Sequence, residues 1–135
     1  MNATDLNTEK ESRSMKIAIP STDERGFDSQ VEQHFGRARY YTIVNTEDMS
    51  AKAVPVPFEN HGPGDIPNFL KEHGANVIIA YGMGGKAVQF FDEMGIEVIT
   101  GAMGRVGDVV DAYMKARLAV DSNWKENPGF GEHNH

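Results

Sequence analysis

The sequence predicts a three-layer α/β fold: a mixed five-stranded sheet with three helices packed against it. Three observations carry this expectation. Three extended segments come first with no helix between them, and two helix–strand units and a final helix follow. The segment Asn76–Ala80 is apolar without a break after Asn76, the pattern of a parallel strand buried on both faces. Apolar residues elsewhere recur at helical spacing and stop at glycines.

Each element follows from its own residues. Lys16–Pro20 is a short apolar strand stopped by proline. Tyr40–Val44 is aromatic and β-branched, hence a second strand. Asn45–Ser50 reads as a hairpin turn, and Ala53–Pro57 as an edge strand, because its prolines cannot donate to a ladder on both sides. Those prolines also argue against edge-to-edge pairing of two copies there. Ile66, Phe69, Leu70 and His73 fall at i, i+3, i+4, i+7, a helical stripe ended by Gly74. After the strand Asn76–Ala80, the stripe Ala87, Val88, Phe91, Met94 ends at Gly95. Ile96–Ile99 is the fifth strand, and Val106, Val109, Val110, Tyr113 and Leu118 mark the third helix.

The hairpin-linked start makes the second strand antiparallel, between the first and the third. Right-handed crossovers place the fourth and fifth strands beyond the first, giving the spatial order 3-2-1-4-5. This is a ribonuclease-H-like arrangement. The domain is expected over residues 15–118. Residues 1–14 read as a solvated extension and 119–135 as a flexible tail containing His133 and His135.

Composition excludes several function classes. The chain of 135 residues has no cysteine, which removes disulfides, thiol nucleophiles and thiolate-ligated metal sites. Its net charge of -7 disfavours nucleic acid and anionic membrane surfaces as partners. No apolar run approaches the roughly 20 residues of a membrane span, so a cytoplasmic location is expected. The sequence has no G-x-S-x-G and no Walker loop, which argues against serine hydrolysis and phosphoryl transfer.

The predicted topology sends the C-terminal ends of strands one, three, four and five to one edge of the sheet, where open α/β sheets bind ligands. The loops leaving them hold His34-Phe35-Gly36-Arg37, His61, Gly82-Met83-Gly84-Gly85-Lys86 and Gly101-Ala102-Met103-Gly104-Arg105. Glycines before a helix permit close backbone approach, and the helix amides attract anions. Lys86 and Arg105 add a cation to each glycine loop. The other reading is that these glycines serve tight turns and close packing. His34 and His61, from separate loops, form half of a metal site; each also suits a plain loop hydrogen bond. Met83 and Met103 offer soft thioethers to a soft ligand, or simply fill gaps.

These residues carry a family resemblance. MKIAIPSTD from Met15, VEQHFGRARYYTIV from Val31, the block from His61 to Ile99 and GAMGRVGDVVDAYM from Gly101 together resemble the dinitrogenase iron–molybdenum cofactor biosynthesis family. The HFGRA stretch followed by the G-x-G-x-x-A loop, Gly82 to Ala87, is the specific part. The resemblance implies a ribonuclease-H-like fold without nuclease activity. It also implies binding or carriage of the iron–molybdenum cofactor or its precursors, that is, a molybdenum-, iron- or copper-containing sulfide cluster. It assigns His34 first, then His61, to the site. Members that hold iron–sulfur clusters often offer cysteines, and this chain has none. An anionic cluster would therefore be held non-covalently, by His34, Arg37, Lys86, Arg105 and loop amides.

The expected function is thus a small metallocluster-binding or carrier protein with no catalysis, exchanging cargo with cluster assembly or acceptor proteins. The alternative is a binding module for another small anion or a nucleotide. An enzyme ranks last, since the sequence presents no base–nucleophile pairing.

Overall fold

A computed structural model describes residues 15–57, 62 and 64–126. The elements in chain order are β1 (Lys16–Ser21), β2 (Tyr40–Asn45), β3 (Ser50–Pro55), α1 (Asp65–Glu72), β4 (Val77–Ile79), α2 (Gly85–Glu93), β5 (Glu97–Ile99) and α3 (Val106–Glu126). Two single turns of 3-10 helix, Gly26–Asp28 and Phe35–Arg37, lie between β1 and β2.

The five strands form one sheet in the order β3-β2-β1-β4-β5. β2 is antiparallel to both β1 and β3, while β4 runs parallel to β1 and β5. This is the expected topology. Alternation along β1 divides the core. Ala18 faces α1 and α2 with Ile43, Ile66, Phe69, Leu70, Ile78 and Phe91. Ile17 and Ile19 face the other way with Val44, Val77 and Ile79, under Val106 and Val110 of α3 and Val31 of the β1–β2 loop.

Three boundaries differ from expectation. β3 begins at Ser50 rather than Ala53, because the hairpin turn is tighter than composition suggests. Asn45 pairs with Ser50, leaving Thr46–Met49 as the turn. Asn45 Oδ1 accepts from Glu47 N–H at 2.9 Å and Asp48 Oδ1 accepts from Ser50 N–H at 3.1 Å; Met49 takes φ 53°. Polar side chains thus close this turn locally, as Asx residues do. β4 and β5 are each shorter than their apolar runs, although Asn76 N–H donates to Lys16 O and Ala80 N–H to Ile99 O just outside β4.

The third boundary is the end of α3. It passes Leu118 and continues to Glu126, into the stretch expected as tail. No glycine or proline interrupts residues 119–126, so the sequence there carries no helix breaker. Residues 1–14 and the tail histidines His133 and His135 lie outside the described residues.

Candidate functional site

β1 and β4 are adjacent and parallel, so the loops that follow their C-terminal ends meet. They form the two walls of an open cleft of about 660 Å³. One wall is Gln33–Arg37 and the other Tyr81–Gly84. The structure therefore brings together His34, Phe35, Gly36 and Arg37 with Gly82, Met83 and Gly84. It also brings in Gln33, from the same loop, and Tyr81, which no sequence motif marks. Tyr81 directly follows β4, and its place at the end of a parallel strand was the available signal.

The first wall is built around Phe35. Its ring enters the core and meets Tyr41 and Phe91 edge-on, with centroids 6.1 and 5.8 Å away. The Tyr41 hydroxyl donates to Phe35 O at 3.1 Å. Phe35 is thus an anchor, and the exposed residues around it, His34 and Arg37, are held at the rim. The Glu32 carboxylate accepts from His34 N–H at 3.0 Å, and His34 O accepts from Arg37 N–H at 2.9 Å. Arg37 makes no ion pair among the described residues.

The second wall leads into α2. Gly84 is its N-cap residue, with φ -71° and ψ 158°, and no side chain caps the helix. Val88 N–H is the first to reach back, to Gly84 O at 3.1 Å, so the amides before it present their donors at the end of the helix. A Cβ built on Gly82, Gly84 or Gly85 meets nothing within 4 Å, and none of the three has a left-handed φ. Neither a strained turn nor close internal packing accounts for them. Met83 is half-buried and packs against the core, which accounts for its thioether by gap filling. Lys86 is exposed in the first turn of α2, beyond the cleft walls.

The second glycine loop behaves differently. Gly101 and Gly104 have φ of 93° and 100°, so the turn itself requires glycine. Gly101 and Met103 line another cavity, between β5 and α3, rather than the cleft. Arg105 is occupied. Its Nε and Nη2 donate to Asp28 Oδ1 at 3.2 and 3.0 Å, and its Nη1 donates to Asp108 Oδ1 at 3.1 Å. The hydrogen bond to Asp28, ahead of the two neighbouring negative charges, raises the guanidinium pKa above its ordinary value. Gly107 makes room for this arrangement, since a Cβ there would stand 2.7 Å from Arg105 Nη1. Arg105 thus ties the β5–α3 loop to the β1–β2 loop, beside the backbone bonds Val31 N–H to Gly104 O and Val106 N–H to Ser29 O, both 2.8 Å.

His61 lies outside the described residues. Among the described residues, no three His, Asp or Glu side chains converge as a metal site. The cleft is a set of hydrogen-bond donors and a guanidinium without an ion pair among the described residues, chemistry suited to a small anion.

A profile of the family described as "Dinitrogenase iron-molybdenum cofactor" matches residues 14–116. The chain belongs to the dinitrogenase iron-molybdenum cofactor family. Both cleft walls lie within the matched residues of this family. A relative in Methanocaldococcus jannaschii, "Uncharacterized protein MJ0580", is 28% identical over 111 residues, covering 77% of this chain and 89% of its own. The crystal structure of PH0822 is 45% identical with a TM-score of 0.68, over 76% of this chain and 92% of that one. The apo form of the orange protein from Desulfovibrio gigas shares the fold, with a TM-score of 0.69 at 24% identity, over 76% of this chain and 88% of that one.

Proposed function

We propose that this member of the dinitrogenase iron-molybdenum cofactor family binds a small anionic metal–sulfide cluster, containing molybdenum, iron or copper, as non-covalent cargo. The observation that carries the reading is the pair Gly82 and Gly84. They line a cleft, face open space and have no conformational need to be glycine. A wall without side chains lets a ligand approach the backbone amides at the start of α2. Opposite them stand Arg37, a cation with no ion pair among the described residues, and the exposed imidazole of His34. Without cysteine, the cluster keeps its own sulfide ligands, and the protein contributes hydrogen bonds and charge.

The cleft opens at the rim of the sheet, which suits receipt from an assembly protein and delivery to an acceptor. The proposed role is carriage without turnover, in the cytoplasm. No described helix is long and apolar enough to cross a membrane.

Titration with tetrathiomolybdate, alone and with copper(I), tests the reading. A stoichiometric charge-transfer band is expected, and it should weaken in His34→Ala and in Arg37→Ala. A band equally strong in both variants, or none in the wild type, overturns it. Calorimetric heat with nucleotides and none with thiometallates would move the site to the nucleotide alternative.

A further inference from the structure

The second cavity, about 740 Å³, runs between β5 and α3. Its floor is Ile79 and Ile99, and α3 contributes Asp108, Val109, Ala112, Tyr113, Ala116 and Arg117. β4 and β5 are a parallel pair, and parallel strands are ordinarily covered by helices on both faces. Here α1 and α2 cover one face, whereas among the described residues α3 is the one α-helix on the other, through Val106 and Val110, beside Val31 of the β1–β2 loop. Ile99 is left half-exposed, and Ala112 and Ala116 are exposed on the helix. Among the described residues, no second helix covers β5 on this face.

The helix residues that line this groove are complementary to themselves. With a twofold axis beside Ala112 and Tyr113, an antiparallel second α3 places Asp108 opposite Arg117, Val109 opposite Ala116 and Ala112 opposite Tyr113. Acid meets base, and each larger side chain meets a small one. That is what an isologous interface requires. Asp108 and Arg117 are both available for exchange. Asp108 is 76% exposed and would exchange its 3.1 Å pair with Arg105, and Arg117, among the described residues, has a 3.9 Å contact to Glu97 and meets Tyr113 through its hydroxyl at 3.2 Å and its ring at 5.7 Å.

We propose that a second copy of this chain docks in the β5–α3 groove, its own α3 lying antiparallel to the first and supplying the missing cover over β5. The contact is on the opposite side of the sheet from the proline-bearing β3 edge and leaves the His34 cleft open. Met103, 54% exposed at the upper end of the groove, belongs to this contact and not to the cargo site.

Sedimentation equilibrium on the full chain, with circular dichroism to check folding, tests this. The wild type is expected to form a dimer. Asp108→Arg and Arg117→Asp should each raise the dissociation constant by about tenfold or more, because each homodimer then sets like charges together twice. An equimolar mixture of the two variants should recover dimers, since every cross-copy pair becomes opposite in charge. That recovery separates the interface from any effect within one chain. A wild type that stays monomeric at millimolar concentration, its groove empty or filled by another occupant, overturns the proposal. So does a dimer indifferent to both reversals, or a mixture that forms no mixed dimer.

Discussion

The Phe35 ring stands edge-on to that of Phe91, with planes at 75°. Phe35 belongs to one wall of the cleft and Phe91 to the helix that continues the other. The contact is a brace between walls that are far apart in sequence. Edge-to-face pairs contribute about 0.5–1.5 kcal/mol beyond the area they bury. Phe35→Ala removes two such contacts together with the packing, so a loss of roughly 2–3 kcal/mol is expected, near the low end for Phe→Ala because Phe35 is only half-buried. Denaturant unfolding measures it. Cargo affinity should fall with it, because His34 and Arg37 lose their fixed positions. A stability change below about 0.5 kcal/mol would remove the anchor role.

The two glycine loops should respond in opposite ways to alanine. At Gly82 and Gly84 the backbone accepts a Cβ and nothing stands in its way. Stability should stay level or rise by up to about 1 kcal/mol through the unfolded state. Thiomolybdate affinity should fall at least about tenfold, because a methyl group now occupies the cleft wall. At Gly104 the φ of 100° is closed to alanine, so Gly104→Ala should cost about 1–3 kcal/mol. Melting temperature and binding, measured on the same variants, separate the cases. Unchanged binding in Gly84→Ala would leave that glycine without a functional reason.

The fold was legible because its signals are local. The proline-bearing third segment, the unbroken run at Val77–Ile79 and the stripes ended by Gly74 and Gly95 each state their own role, and handedness rules then order the strands. Convergence of the His34 loop with the Gly82 loop also followed, since both leave neighbouring strands. What escaped depends on distant partners or on weak composition. Ser50–Lys52 has little β propensity and is a strand because β2 pairs with it. The polar stretch after Leu118 carries no breaker and stays helical. Arg105 read as a cation free for an anion, yet Asp28, 77 residues away in sequence, neutralises it, and no spacing rule reveals such a pair.

That difference between the arginines is itself testable. Arg37 has no ion-pair partner among the described residues, whereas Arg105 has two. Arg37→Ala should leave stability unchanged and weaken binding of an anionic cluster about tenfold, with the loss shrinking as salt rises. Arg105→Ala breaks solvent-screened exposed pairs and should leave stability little changed. Its effect on binding should stay within about threefold, because backbone bonds at Val31 and Val106 still join the two loops. Equal losses of affinity in both variants would mean that Arg105 leaves its carboxylates for the cargo.

Tyr41 makes the chain sensitive to alkali. The residue is fully buried, and burial pushes its phenol well above the ordinary value of 10.0. The folded state therefore keeps the proton while the unfolded chain releases it near pH 10. The associated stability is complete below that pH and declines as pH rises above it. Tyr113, half-buried beside Glu97, is shifted the same way, first by burial, and leaves a residual slope. Tyr41→Phe should lose about 1 kcal/mol at neutral pH with the hydrogen bond to Phe35 O, yet unfold less readily than expected from that loss at about pH 11. Thermal unfolding of both proteins from about pH 8 to 11 gives the comparison. Parallel curves for wild type and Tyr41→Phe would show that ionisation elsewhere governs alkaline unfolding.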